Sequence, residues 1–179
     1  MEKVLNYVRN IILKKITSED VCVDATCGRG NDTLFLAKNS KKVYAFDIQK
    51  EAIEYSKESL KEYQNIKFIN DSHESIDKYI KEKVDVVMFN LGYLPKGDKS
   101  ITTKSFSTIS SVKKVLEMLN LNGIVSIVCY PGHPEGYKES VELLEFLRTI
   151  DQKYYDIVRY DFINQINNPP FAIIIEKVK

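Results

Sequence analysis

The sequence predicts a Rossmann-like α/β domain: one mostly parallel sheet of seven strands, helices on both faces, and an antiparallel hairpin at the C-terminal end. Three observations carry this. Short apolar runs alternate with stretches of helical spacing from residue 3 to residue 150, the pattern of βα units laid on a parallel sheet. The last two strand-like runs are separated only by "NQINNPP", too short for the helix a parallel crossover needs. Gly28 and Gly30 stand between the first strand and its helix, where this architecture turns its backbone against a ligand.

The elements follow in order. Val4, Leu5, Val8, Ile11, Ile12 and Ile16 recur at helical spacing over 3–16. "VCVDA" (21–25) reads as a strand, and Asn31 to Lys38 as a helix with Leu34, Phe35 and Ala37 inward. "KVYAFDI" (42–48) is a strand and "QKEAIEYSKESLKEY" (49–63) an amphipathic helix. "IKFIND" (66–71) is a strand, "HESIDKYI" (73–80) a short helix and "VDVVMFN" (84–90) a strand. "STISSVKKVLEMLN" (107–120) is helical, "GIVSIVCY" (123–130) a strand and "EGYKESVELLEFLRTI" (135–150) a helix. "YYDIVRYDFI" (154–163) and "FAIIIEK" (171–177) close the sheet, adding one antiparallel strand at its edge. With no repeat, no low-complexity tract and no second apolar unit, residues 1–179 are expected to be a single domain.

Composition narrows the partners. Lys plus Arg is 26 and Asp plus Glu 25, so bulk charge does not hold this chain to nucleic acid, although a local basic patch could. No apolar run approaches the roughly 20 residues of a membrane helix, and "MEKVLNYVRNIILKKI" is charged throughout, without a signal-peptide core. A cytoplasmic protein with no membrane partner is expected. Cys22 and Cys129 lie in apolar runs as small buried thiols; with Cys27, His73 and His133 they give no metal-ligand spacing, so no metal is expected. The sequence leaves a homodimer open.

Ligands in open α/β sheets bind outside the carboxyl ends of the strands. The first strand ends in "DATCGRGND": Asp24, Thr26, then Gly28 and Gly30, then Asn31 and Asp32 opening a helix. A dinucleotide fingerprint would place a third small residue at 33, which is Thr33 here. Asp24 would repel a pyrophosphate and welcome an ammonium group. S-adenosyl-L-methionine (SAM) offers that ammonium, a carboxylate for the helix N-terminus, and no phosphate. The second strand ends in "AFDIQ", where Asp47 can accept from two ribose hydroxyls or cap the next helix; Gln49 lies beside it. In "NDSHE", Asp71 or Ser72 can meet an adenine amine, or cap a helix, and His73 lines the site or faces solvent. The three ends in register describe a methionine-tailed adenosine, the pattern of class I SAM-dependent methyltransferases.

The fourth strand runs into Asn90-Leu91-Gly92-Tyr93-Leu94-Pro95. In that class an Asn or Asp before a Pro–aromatic pair handles a planar amine. This stretch resembles the motif but has a single Pro, with Tyr93 ahead of it. Asn90 can accept from an attacking amine and Tyr93 can stack on a base, so these two are the catalytic candidates. An amide suits the task better than an acid, since a carboxylate would stabilise the ammonium form. No side chain stands out as a strong base, which leaves the proton to water. Lys96, Lys99, Lys104, Lys113 and Lys114 lie near this end, with Arg29 in the glycine loop, as phosphate contacts or ordinary solvated surface. "YPGHPEG", with Tyr130 and His133, and "NQINNPP", with Asn164, Gln165 and Asn168, can close over a substrate or form rigid turns.

Taken together, "DATCGRGNDTLFLA", "YAFDIQ", "NDSHE", "MFNLGYLPKGDKSITT", "YPGHPEG" and "FINQINNPPF" resemble the small bacterial rRNA methylases of the YtqB type, the group of the MnmM tRNA methyltransferases. The resemblance spans nearly the whole chain. It implies SAM as cofactor and a tRNA anticodon stem-loop as partner. It also implies methylation of the aminomethyl group of 5-aminomethyl-2-thiouridine at the wobble position, giving 5-methylaminomethyl-2-thiouridine. The residues alone leave open an rRNA or small-molecule amine methyltransferase, the latter favoured by the near-neutral charge. A non-catalytic SAM-binding module is disfavoured by intact motifs at four strand ends.

Overall fold

Alternation inside the apolar runs decides which helix covers which face of the sheet. In β4 (Val84–Asn90), Val86 and Met88 pack with α1 (Val4–Leu13) and α2 (Asn31–Ala37). Val87 and Phe89 point the other way, against α4 (Ile76–Tyr79), α5 (Ser105–Met118) and α6 (Pro134–Leu147). Both faces are covered, so the central strands are apolar on both sides, as parallel strands require. A small cluster of Cys27, Ala45 and Ile53 sits under α3 (Lys50–Ser59). The structure, a computed structural model, describes residues 3–92 and 103–179.

The sheet order is β3-β2-β1-β4-β5-β7-β6, where β1 is Val21–Asp24, β2 Lys42–Phe46, β3 Ile66–Ile69, β5 Leu119–Cys129, β6 Tyr155–Tyr160 and β7 Phe171–Lys177. All pairings from β3 through β5 are parallel, and β7 is antiparallel to both β5 and β6. This is the class I SAM-dependent methyltransferase fold. The antiparallel strand is therefore not the edge, as the sequence suggested, but one place in from it. Phe171 to Ile175 are buried throughout, while β6 half-buries only Tyr155, Ile157 and Tyr160, so the doubly apolar strand takes the inner slot.

Several boundaries also move. β5 begins at Leu119, inside the stretch expected to be helical, because Leu119 pairs with Val84 before a register shift; Asn122, at φ 64°, turns the chain between the two parts. The expected helix 73–80 is a 3-10 turn (His73–Ser75) followed by α4, with the Ser72 hydroxyl accepting the Glu74 amide. On α2 the buried apolar residues are Leu36 and Ala37, with Leu34 and Phe35 half-buried.

Gly136, in the first turn of α6, lies so close to the Tyr130 carbonyl and the His133 ring that a Cβ would collide with both. His133 Nδ1 accepts the Gly136 amide at 3.1 Å as the helix cap. Gly136→Ala should therefore strain the β5–α6 turn by about 1–3 kcal/mol and lower the melting temperature by several degrees. Thermal unfolding followed by circular dichroism checks this; an unchanged midpoint would mean the turn yields at no cost.

Candidate active site

The strand order reverses between β1 and β4, the switch point at which this fold binds ligands. The loops at that edge surround a cavity of about 1020 Å³. One hydroxyl joins its two halves: Thr26 Oγ1 accepts the Asn90 backbone amide at 2.7 Å. Just below, the Ala25 amide donates to the Met88 carbonyl at 2.8 Å. Thr26 and Asn90 both face the cavity.

Asp24 does not. Its carboxylate turns under the loop, accepting the Thr33 hydroxyl at 2.6 Å and the Thr26 amide at 3.1 Å. Burial pushes its pKa up to about 7, the Asp32 charge adds to this, and the two hydrogen bonds oppose it. The expectation that Asp24 meets a ligand ammonium is corrected: the acid is an internal tie, and Thr33 replaces a third small residue because it is that tie's donor. Gly30 also lies off the cavity wall. It holds φ 77° against Leu60 and Ser56, where a side chain would be both strained and crowded.

The acid facing the cavity from the first loop is Asp32, beside Asn31 and Gly28. Asp32 is paired with Arg9 of α1 at 2.8 Å, and the Asn90 side-chain amide points to its other oxygen at 3.5 Å. Tyr130 stands beside them: burial, and then the Asp32 charge, push its phenol pKa up, and the Asn90 amide counters this.

Asp47 serves as cap and wall at once. Its two oxygens accept the Gly28 amide at 2.8 Å and the Gln49 amide at 2.9 Å. Each oxygen keeps a lone pair for a further donor. Burial raises its pKa, which the two amides oppose. Gln49, Asp71, Ser72 and His73 continue the wall. Asp71 accepts from the Ser72 amide and the Tyr79 hydroxyl. His73 is nearly buried, edge-on to Phe89, and its Nδ1 has no partner among the described residues.

The far wall is made by Leu91, Gly92, Thr103, Lys104, Tyr130, His133 and Asn168. Asn164 and Gln165, expected on the substrate side, are exposed and off this wall. Asn167 and Asn168, both at positive φ, reach it instead with Pro169 and Pro170. Tyr93, Lys96 and Lys99 lie outside the described residues. Lys114 is committed to Asp77 and the Glu74 carbonyl, and Lys113 lies over Phe146, so neither is a free phosphate contact. Sequence reasoning missed Arg9, Thr103, Asn167 and Glu139, an acid buried on α6. Only Glu139 left a signal: it recurs with Gly136, Leu143 and Leu147 on one helical face.

Comparison with known proteins agrees with this geometry. Residues 43–176 match the family model described as "Putative rRNA methylase". The chain is 39% identical over 155 residues to the chloroplastic tRNA (mnm(5)s(2)U34)-methyltransferase of Arabidopsis thaliana, covering 77% of this chain and 56% of that protein's length. A Clostridium thermocellum crystal structure of the same description superposes with a TM-score of 0.96 at 42% identity, over 99% of both chains. A Streptococcus mutans "putative methyltransferase" in complex with SAH gives 0.94 at 36% identity, again over 99% of both.

The environment of His73 makes stability depend on pH. Burial holds its pKa down to about 4, below the ordinary 6.5. Between those values the unfolded chain binds a proton that the folded chain does not. Its contribution is full above pH 6.5 and is lost as pH falls toward 4, by about 3 kcal/mol at the acid limit. His73→Asn should flatten that part of the stability–pH curve in urea melts; an unaltered slope would show that the ring is hydrated in solution.

Proposed function

The chain belongs to the rRNA methylase family, and on that premise we propose that it is a SAM-dependent methyltransferase of RNA, acting on the aminomethyl nitrogen of 5-aminomethyl-2-thiouridine at the tRNA wobble position. The observation that carries the reading is the position of Asn90: at the switch point, in the wall of the cavity, between the Asp47–His73 half and the loop side. The name of the Arabidopsis relative supports the choice of tRNA.

The residues present fit the cofactor. Asp47 keeps acceptor capacity for ribose hydroxyls, and the unpartnered His73 Nδ1, with Ser72 and Asp71, suits an adenine edge. Gly28, Asn31 and Asp32 would receive the amino-acid end. When bound, SAM supplies an electrophilic methyl carbon on a sulfonium.

The acceptor nitrogen must present a free lone pair, and an alkyl amine is mostly protonated in neutral water. The Asn90 side-chain amide points its N–H toward Asp32, leaving its oxygen to accept an amine N–H. Asp32 would favour the ammonium form, but Arg9 offsets its charge, so the amine meets a nearly neutral pair. Tyr93 would offer a stacking face to the target base, and water would take the proton released when the methyl carbon passes from the sulfonium, which leaves as a thioether, to the nitrogen. Positioning of this kind is worth at best about 7–11 kcal/mol.

Mass spectrometry of tRNA nucleosides after incubation with protein and SAM should show loss of the aminomethyl nucleoside and gain of its methylamino product. Asn90→Ala should lower single-turnover rates while leaving SAM affinity nearly intact, measured by calorimetry. Tyr93→Ala should chiefly weaken tRNA engagement, by the roughly 1–3 kcal/mol of a base–aromatic stack. Unmodified tRNA in the wild-type reaction would refute the substrate.

A further inference from the structure

Glu139 is a carboxylate set into the apolar face of α6, 3% exposed, on the same side as Leu143 and Leu147. Its partners are hydroxyls: Thr103 Oγ1 and Thr108 Oγ1 each donate to it at 2.7 Å. Thr103 Oγ1 also accepts the Gly92 amide at 2.9 Å, and the Thr103 amide donates to the Gly92 carbonyl at 3.1 Å. Gly92 and Thr103 are thus clasped to each other and to α6, and both line the cavity. Packing the helix does not call for this. A buried carboxylate is costly to desolvate, and a leucine of similar volume would fill the position.

We propose that Glu139 is a positioning residue for methyl transfer. Through Thr103 it fixes Gly92, two residues beyond Asn90, and so sets the substrate-side wall against which the acceptor is aligned. The inference rests on the methyltransferase reading above but not on the identity of the nucleoside. Gly92 and Thr103 flank the stretch that carries Tyr93 and Lys96 in the sequence, so one acid on α6 fixes the residue on either side of it. The second hydroxyl, from Thr108 on α5, donates to the acid's other oxygen and keeps it aimed at Thr103.

Thr103→Val removes the hydroxyl at constant shape, Thr103→Ser keeps it, and Glu139→Gln removes the charge. Ile175→Val, in β7, serves as a control for lost core stability. Three quantities are measured: exchange of the Gly92 amide by NMR, SAM affinity by calorimetry, and single-turnover transfer of labelled methyl into total RNA. Thr103→Val and Glu139→Gln should speed Gly92 exchange and slow transfer by roughly tenfold or more, since misplacement by about 1 Å can cost 10²-fold. SAM affinity should stay within about twofold, and Thr103→Ser should restore the rate. The inference is overturned if transfer slows no more than in the control, if SAM affinity falls in parallel, or if the Val and Ser variants are equally fast. Should Thr103→Val not fold, Glu139→Gln is read on the same three measurements. Total RNA reports transfer whatever the nucleoside, so a wrong wobble assignment shows only in the mass spectra. A wild type that labels no RNA defeats the function, while Gly92 exchange still decides whether the clasp exists.

Discussion

The hydrogen bond from the Asn90 amide to the Thr26 hydroxyl is the constraint on which the site depends. It spans the switch point, where β1 and β4 run side by side but their loops part in opposite directions. Parallel pairing brings the two strands level only as far as Asp24 and Met88. Beyond them the Ala25 amide still bonds the Met88 carbonyl, and then one side chain, that of Thr26, continues the pairing. A single such bond is worth only about 0.5–1.5 kcal/mol to stability, so its importance lies in placement. It sets the backbone of Asn90 relative to the glycine loop, and the side chain of Asn90 follows.

Carboxylates organise the rest, each solving the problem of its own charge differently. Asp24 is buried under two donors, and its pKa rises toward neutrality. Asp32 keeps a face on the cavity and has a guanidinium behind it. Asp47 is satisfied by two backbone amides. Glu139 is held by two hydroxyls. Asp24, Asp32 and Asp47 cluster around the ends of β1 and β2, and burial first, then the Asp32 and Asp47 charges, raise the pKa of Asp24. The Arg9–Asp32 pair therefore does more than attach α1. It removes a negative charge from a region that already carries two others, and so makes room for a ligand bearing both charge signs.

Most of the architecture was legible in the sequence because period and length are local properties. The run 84–90 could only be a buried strand, and "NQINNPP" could not hide a helix. What failed were pairings that depend on partners far away in the chain. Whether 154–160 or 171–177 takes the inner slot is decided by β5, and the start of β5 is decided by Val84. In the site, the wall residues Asp47, Ser72, His73 and Asn90 were legible because strand ends in this fold have fixed duties. Asp24 was misread because spacing gives no sign of which way a side chain turns. Arg9 left no signal, being one cation alongside Lys3, Lys14 and Lys15 in the stretch 3–16. The signal of Glu139, an acid at 139 in register with 143 and 147, could have been read.

The inner position of β7 also bears on how the protein emerges from the ribosome. Until Phe171–Lys177 has been synthesised, β5 is an unpaired edge whose Ile124, Val125, Ile127 and Val128 have both faces apolar, a surface prone to wrong pairing. The nascent sheet must wait in that state through α6 and β6. β7 enters between β5 and β6 rather than adding outside them, so β6 has no place to dock before it arrives. Asn167 to Pro170 lead directly into that strand, so the last part of the cavity wall is set only as the sheet closes. The part of the cavity wall made by Asn167 to Pro170 therefore takes its place only once β7 has paired with β5.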